Sequence, residues 1–169
     1  FRFAIVFQPK TIMMENVPTL DKDTRLKKLI EKLKNIGYHV DHKVLKMSNY
    51  GVPQSRRRMV MLASRFSNIE VIRQEINEDQ VTTVRDAIAF LPAAGLSNDS
   101  LHDTLSNPTE KVKRLIAMIP KDGGSRTDLS EEYQLECHKR TNGFKDVYGR
   151  MAWDKPAPTI TGGCNNPSK

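Results

Sequence analysis

Cysteine is nearly missing from this chain: Cys137 and Cys164 are the only two in 169 residues, and they form no CxxC unit. That excludes a disulfide framework and makes a reducing compartment the default. Neither cysteine has a structural-zinc spacing, and His39, His42, His102 and His138 have no partners at metal-ligand spacing, Cys137-His138 being an isolated pair. Cys164 sits among glycines and asparagines, and nothing in its local sequence distinguishes a nucleophile from a plain loop cysteine. Long apolar runs are absent as well. No stretch approaches the ~20 consecutive apolar residues of a membrane helix, so no membrane partner is expected. Arg2 interrupts the apolar start Phe1 to Phe7 and no small-residue cleavage site follows, so no secretory signal is read there. The nucleotide fingerprints GxGxxG and GxxxxGK[ST] do not occur. The first residue is Phe1, not Met, which raises the expectation of a piece of a longer chain or a processed product.

What is present is the composition of a folded, basic protein. Hydrophobic residues make up 38% and charged residues 28%, with a formal net charge of +7. A chain of this length buries roughly 70 per cent of its unfolded surface, enough for one good core or two small ones. The charge is in blocks. Residues 1–68 carry a net +9, residues 69–110 a net −6 and residues 111–169 a net +4. Two basic blocks around an acidic one fit a boundary near residue 68 and a polyanion footprint on either side. Solubilising lysines on a solvated face, as around Lys27, Lys28, Lys32 and Lys34, remain the alternative.

Apolar periodicity gives the elements. Lys10 to Met14, after Pro9, reads as a short buried strand on its apolar Thr11-Ile12-Met13-Met14, and Pro18 stops it. Leu26, Leu29, Ile30, Leu33 and Ile36 fall on one helix face, with Asp21 or Asp23 to cap its start and Gly37 to close its end. Tyr38 to Met47 reads as a second strand and Met59 to Ala63 as a third, buried on both faces. The last two, joined by a short loop, suit an antiparallel pair beside an otherwise parallel sheet. Further on, Val84, Ala87, Ile88 and Leu91 predict a short helix ended by Pro92. Val112, Leu115, Ile116 and Ile119 predict another, with Pro108 near its start and Pro120 at its end. Residues 121–169 carry six glycines, three prolines and scattered aromatics, and read as an irregular, loop-rich β region.

Three constellations bear chemistry. Glu15-Asn16-Val17 follows a buried strand, where ligand-binding residues gather in an open α/β sheet. A partly desolvated carboxylate there favours its neutral form and can act as an acid toward a bound base, or it merely caps the next loop. Asn49 to Arg58 (NYGVPQSRRR) leads straight into a buried strand. In an extended chain Gln54, Arg56 and Arg58 point to one side and Arg57 to the other. Two guanidinium forks and an amide on one face suit phosphate and base carbonyls, and a plain basic rim on a sheet edge is the alternative. Third, Lys121 to Arg126 (KDGGSR) and the stretch with Arg150, Trp153, Thr159, Thr161 and Asn165 are Gly-rich loops. Such loops, carrying Arg, Lys, Asn and Ser, suit groove edges and phosphates, which makes Arg126, Arg150, Thr159, Thr161 and Asn165 the candidate DNA contacts.

Taken together, Pro9-Lys10-x4-Glu15-Asn16-Val17 and, some thirty residues on, Asn49-Tyr50-Gly51-Val52-Pro53-Gln54-x-Arg56-x-Arg58 resemble the cytosine-5 DNA methyltransferase family. Arg150-Met151-x-Trp153-x-Lys155-Pro156-x-Pro158-Thr159-Ile160-Thr161 is similar to the target-recognition domain of its bacterial members. The resemblance implies a fold: the C-terminal half of a Rossmann-like α/β methyltransferase sheet, followed by a small loop-rich α+β recognition domain. Residues 1–68 would be the catalytic half, 69–110 an acidic connector with a helix, and 111–169 a truncated recognition region. It implies a reaction too, in which a target cytosine is flipped out of double-stranded DNA and S-adenosylmethionine methylates its carbon 5 after a cysteine attacks carbon 6. By the match, Glu15 protonates or hydrogen-bonds ring nitrogen 3, Arg58 donates to the cytosine carbonyl, and Arg56 supports the flipped nucleotide or its phosphate. Gln54 orients the loop and Asn16 braces it. The setting implied is the cytoplasm of a bacterium with a restriction–modification system.

Two family features are missing from this sequence. The FxGxG loop for S-adenosylmethionine does not occur, and neither cysteine follows a proline, so neither inherits the nucleophile's role. The chain also ends before the family's closing signatures. The expectation is an internal slice, inactive alone. The other readings are a subunit of a split methyltransferase completed by a partner segment, a non-catalytic DNA-binding module, and a transfer-RNA cytosine methyltransferase.

Overall fold

In the computed structural model, residues 1–71, 80–104, 106–134, 136–139 and 148–160 are described. The chain divides into two compact units: Phe1–Gly51 with Arg56–Gln80, and Val52–Ser55 with Val81–Lys169.

The first unit is α/β. Its elements are a short helix α1 (Arg2–Phe7), strand β1 (Thr11–Asn16), helix α2 (Thr24–Asn35), strand β2 (His39–Lys46) and strand β3 (Arg57–Ser64). Between the two cap candidates the fold selects Asp23, whose carboxylate accepts from the Arg25 amide at 2.7 Å. The far end of α2 closes with the amides of Gly37 and Tyr38 donating to the carbonyls of Lys34 and Leu33. Gly37 stands at φ +88, a left-handed position that glycine takes without a Cβ penalty.

The three strands run in the order β1-β3-β2, and β3 is antiparallel to both neighbours. The antiparallel β2–β3 pair expected from their short connection is there. The parallel neighbours expected beside it are not. β1 and β2 do run in the same direction, as a strand–helix–strand crossover requires, but β3 fills the gap between them.

The register decides which residues share a face. Ile12, Met14, Met59, Met61, Ala63, Val40 and Val44 pair onto one face. This face packs against Leu26 and Leu33 of α2, with Ala4 and Tyr38 completing the core. The opposite face carries Thr11, Met13 and Glu15 from β1, Arg58, Val60 and Leu62 from β3, and Asp41, Lys43 and Leu45 from β2. Part of it is covered at Val71, whose amide donates to Asp41 at 2.8 Å and whose carbonyl accepts from Lys43 at 2.9 Å.

The second unit is built on helices and tight turns. Helix α3 (Val84–Ile88) starts in a capping box, Thr83 and Asp86 each bonding the other's backbone. It ends three residues short of Leu91, the last apolar residue of the predicted stripe. Helix α4 (Glu110–Met118) packs Leu115, with Ile119, Leu129 and Tyr148, into a second small core. A last single turn, α5, spans Glu136–Lys139. The β region predicted for residues 121–169 is not seen among its described residues. Among the described residues it contains 3-10 turns at Arg126–Asp128 and Glu131–Tyr133 and, in place of strands, one isolated parallel bridge between Gln54 and Ala157. Glycine and proline density marked a chain that bends, and here the bends are closed by side chains capping backbone rather than by strand pairing.

Candidate active site and nucleic-acid interface

Glu15 and Asn16 are the last two residues of β1, opposite Val60 and Met59 on β3. Arg58 lies two residues before Val60, so it is the diagonal neighbour of Glu15 on the same face. The two side chains meet there: Arg58 Nε donates to Glu15 Oε1 at 2.7 Å. Arg58 is the more enclosed partner, its side chain 18% exposed against 48% for Glu15. A second nitrogen of the guanidinium, Nη1, donates to the Arg57 carbonyl at 2.7 Å, which fixes the plane of the group. A guanidinium and a carboxylate are thus held side by side at the strand ends, on the face turned away from the α2 core.

The chain around this pair is braced locally. Asn16 Oδ1 accepts from the Val17 amide at 2.8 Å, turning the backbone out of β1 into the 3-10 turn Pro18–Lys22. The Arg56 carbonyl accepts from the Met47 amide at 2.8 Å, anchoring the residue that precedes β3. Arg56 and Arg58 are both half-buried while Arg57 is exposed, the alternation that an extended chain predicts. Gly51, at φ +79, closes the 3-10 turn Met47–Tyr50 that leads into this loop.

Within the second unit, Gln54 bridges to Ala157. The Ser55 amide donates to the Ala157 carbonyl at 2.8 Å and the Ala157 amide donates to the Pro53 carbonyl at 2.9 Å. The loop before the arginines is therefore clamped to the segment that precedes Thr159. Of the candidate DNA contacts, Thr159 is half-exposed. Arg126 is buried, only 4% exposed, within a turn capped by Ser125 and Asp128. Arg150 donates to the Ile116 carbonyl at 2.6 Å, and its Nε is buried with no hydrogen-bond partner. As placed, Arg126 is buried and the Arg150 guanidinium is tied to the last turn of α4. Thr161 and Asn165 lie outside the described residues, as does Cys164.

Sequence reasoning missed two groups of residues. Arg85 forks onto Asp154 at 2.7 and 3.2 Å and lies 5.6 Å from the centre of the Trp153 ring. The Arg85 hydrogen bond holds the Asp154 carboxyl below the usual carboxylate range. An arginine in an acidic stretch, 69 residues from its partner, has no local signal. Ala157 has none either, because it works through backbone groups alone.

The described glycines of the two units form no cradle for a cofactor. The left-handed glycines of the first unit, Gly37 and Gly51, both end helical turns, and neither opens a strand-to-helix loop. Gly123 and Gly124 of the second unit pack against Ala152 and Pro120. None is placed to wrap the methyl donor that the resemblance implies. Among the described residues no cluster of His, Cys, Asp and Glu could hold a metal ion, and no helix is long and apolar enough to cross a membrane.

With this geometry in place, comparison with known proteins is decisive. The family described as C-5 cytosine-specific DNA methylase matches residues 2–168. The chain belongs to that family. Among its relatives, the Type II methylase M.HgiDII of Herpetosiphon aurantiacus is 37% identical over 94% of this chain and 47% of its own length. The Type II methyltransferase M1.BsuMI of Bacillus subtilis (strain 168) is 35% identical over 96% of this chain and 38% of its own. The chain thus spans less than half the length of these relatives. The solved structure of S. pombe Dnmt2 methyltransferase covers 67% of this chain and 35% of its own, with 16% identity and a TM-score of 0.46, too low to carry an argument.

Proposed function

We propose that this chain supplies the base-binding and recognition parts of a DNA (cytosine-5-)-methyltransferase of the Type II restriction–modification class, acting on double-stranded DNA in the bacterial cytoplasm. The observation that carries the reading is the Glu15–Arg58 pair at the strand ends. Ring nitrogen 3 and the carbonyl at carbon 2 are adjacent on the edge of a cytosine. A carboxyl and a guanidinium held side by side match that edge, one giving a proton to the nitrogen and the other donating to the oxygen. Only the protonated form of a carboxyl can do this at nitrogen 3, since a carboxylate has no proton to give. Charge drawn to nitrogen 3 makes carbon 6 a better electrophile.

Arg56 holds the flipped nucleotide or its phosphate, Asn16 turns the chain away from the site, and Gln54, clamped to Ala157, orients the loop. The sheet of the first unit is the C-terminal half of the Rossmann-like catalytic sheet, and residues 111–169 are the recognition region, with Thr159, Thr161 and Asn165 toward DNA and Arg126 and Arg150 shaping the loops from within. S-adenosylmethionine supplies the methyl group, and its binding loop and the nucleophilic cysteine belong to a complementary segment. This sequence by itself is therefore inactive.

The test is transfer of a labelled methyl from S-adenosylmethionine to DNA. The chain alone should give none, and the chain joined to a segment bearing the cofactor loop and a Pro-Cys nucleophile should give transfer. In that assembly Glu15→Gln should lower the rate by about 10²–10⁴-fold, the scale of a positioned general acid. Full activity in the Gln variant, or transfer to RNA in place of DNA, would refute the assignment.

A further inference from the structure

Residues Arg150 to Ala157 run through the second unit and are held at three places. At the start the Arg150 amide donates to the Gly124 carbonyl at 2.8 Å, and the Trp153 amide donates to Asp122 Oδ1 at 2.6 Å. In the middle the segment meets the first turn of α3. The amides of Val84 and Arg85 have no carbonyl within their own helix to bond, and they donate to the carbonyls of Lys155 at 3.0 Å and Trp153 at 2.9 Å. At the end stand the two bonds between Ala157 and the Pro53–Ser55 loop. The stretch between the second and third holds is stiff. Pro156 and Pro158 fix their own φ, and Lys155 and Ala157, each preceding a proline, are confined to extended backbone. A displacement at Asp154 is therefore carried to Ala157 instead of being absorbed on the way.

Arg85 adds a side-chain hold to the two backbone bonds in the middle. Its guanidinium forks onto Asp154 and lies over the Trp153 ring, so one side chain grips two consecutive residues of the segment. The pair is exposed, Arg85 at 53% and Asp154 at 73%, and a single exposed ion pair contributes little by itself. Three features set this one apart from a solvated pair. The contact is two-pronged, an aromatic face lies beneath the cation, and the Arg85 amide already fixes the Trp153 carbonyl, which lowers the entropy lost in ordering the side chain.

We propose that Arg85 is a positioning residue for methyl transfer: through Asp154 and the stiff segment that ends at Ala157, it holds the Pro53–Ser55 loop and with it Gln54. The effect on transfer rests on the proposed function, while the hold on the loop rests on the bonds just described. Arg85 touches no base in this role. Its influence reaches the reaction through the backbone of residues 153–157, and the loop it steadies runs directly into Arg56 and Arg58. The same segment is tied at Asp122 and Gly124 to the glycine-rich recognition loop, so the geometry of that loop and of Gln54 is set by one piece of chain.

The experiment compares Arg85→Met, Asp154→Asn and the double variant with the parent, first in the full chain by hydrogen exchange read by NMR. Both substitutions leave the backbone bonds of α3 in place, and Asp154→Asn is the milder one should Arg85→Met fail to fold. The Ser55 and Ala157 amides should exchange about fivefold faster in each single variant, with the amides of β3 unchanged as the internal reference. The double variant should be no faster than Arg85→Met, because the two groups act as one contact. Unchanged exchange at Ser55 and Ala157, effects that multiply in the double variant, or equal acceleration in β3 would each overturn the hold. The second measurement is methyl transfer to unmethylated double-stranded genomic DNA by the chain joined to a segment bearing the cofactor loop and a Pro-Cys nucleophile. There kcat should fall about fivefold in both single variants with the KM for DNA unchanged, the signature of lost positioning and not of lost DNA contact. A rise in KM at constant kcat, or full kcat with loosened amides, would overturn the positioning role. No transfer by the parent assembly, with coupled exchange intact, would overturn the functional reading and leave Arg85 holding the loop.

Discussion

The two units differ in what holds them together. The first is ordered by periodic apolar packing: Leu26 and Leu33 of α2 against Met59, Met61 and Ala63 of β3. Among the described residues, the second has a core cluster of four, Leu115, Ile119, Leu129 and Tyr148. Its shape is fixed by carboxylates reaching the backbone. Asp103 accepts from the Ser97 hydroxyl at 2.7 Å and from the amides of Gly95, Ser97 and Asn98. Asp86 and Asp128 cap their turns, and Asp154 pairs with Arg85. Apolar burial is non-directional and tolerant of rearrangement, whereas a hydrogen-bonded loop has one geometry. The apolar-packed unit carries the Glu15–Arg58 pair proposed to bind the base, and the hydrogen-bonded loops carry the recognition candidates.

The largest effect that would test this contrast is in the first core. Leu33, in the last turn of α2 and 1% exposed, should cost about 2–5 kcal/mol as Leu33→Ala. Urea unfolding followed by circular dichroism would measure it. A loss under 1 kcal/mol would mean that the sheet does not depend on α2. Next in size is Gly124 of the second unit. A Cβ there would run into the Pro120 carbonyl, which is backbone and cannot rotate aside. Gly124→Ala should cost roughly 1–3 kcal/mol through forced overpacking. The loss should appear in hydrogen exchange of residues 120–125 and 148–153, since the Arg150 amide donates to the Gly124 carbonyl. Unchanged protection there would show that the loop is not held by this approach.

The same contrast explains what could be read in advance. Period-two and period-3.6 apolar patterns located β1, α2, β2, β3 and α4 to within a few residues, because each element buries one face in its own unit's core. Glu15 and the Arg56/Arg58 alternation were legible for the same reason, since a strand fixes where every second side chain points. The insertion of β3 between β1 and β2 was not legible, because apolar runs carry no information about strand order. Nor was the burial of Arg126 and Arg150. Both are cations in glycine-rich loops, and composition alone assigns such residues to the surface. The partner of Arg150, the Ile116 carbonyl, is a backbone group of a distant helix end that no local pattern marks.

The smallest predicted effect separates the units by acid. Three carboxyls of the second unit sit below the usual carboxylate range: Asp86 through the Thr83 hydroxyl, Asp103 through the Ser97 hydroxyl, and Asp154 through the Arg85 guanidinium. A carboxyl depressed on folding stabilises the fold above its unfolded value, near ~4, and that contribution is lost as pH falls through the lower folded value. Acidification from pH 5 to pH 2.5 should therefore loosen the second unit while the apolar core of the first persists. In the first unit the Arg25 side chain holds the Asp23 carboxyl at about 2, so the α2 cap weakens over the same range without touching the buried core. Burial pushes the Asp41 carboxyl up, yet the Val71 amide and Lys43 outweigh it and hold the group low. Its loss would free the segment at Val71 and not the α2 face. Trp153 is the only tryptophan and belongs to the second unit, stacked under Arg85 beside Asp154. Its emission should shift in this acid range before the helical ellipticity falls, and Asp154→Asn should produce part of that shift at pH 7. Coincident transitions would mean that the two units share one cooperative core, which their separate apolar clusters argue against.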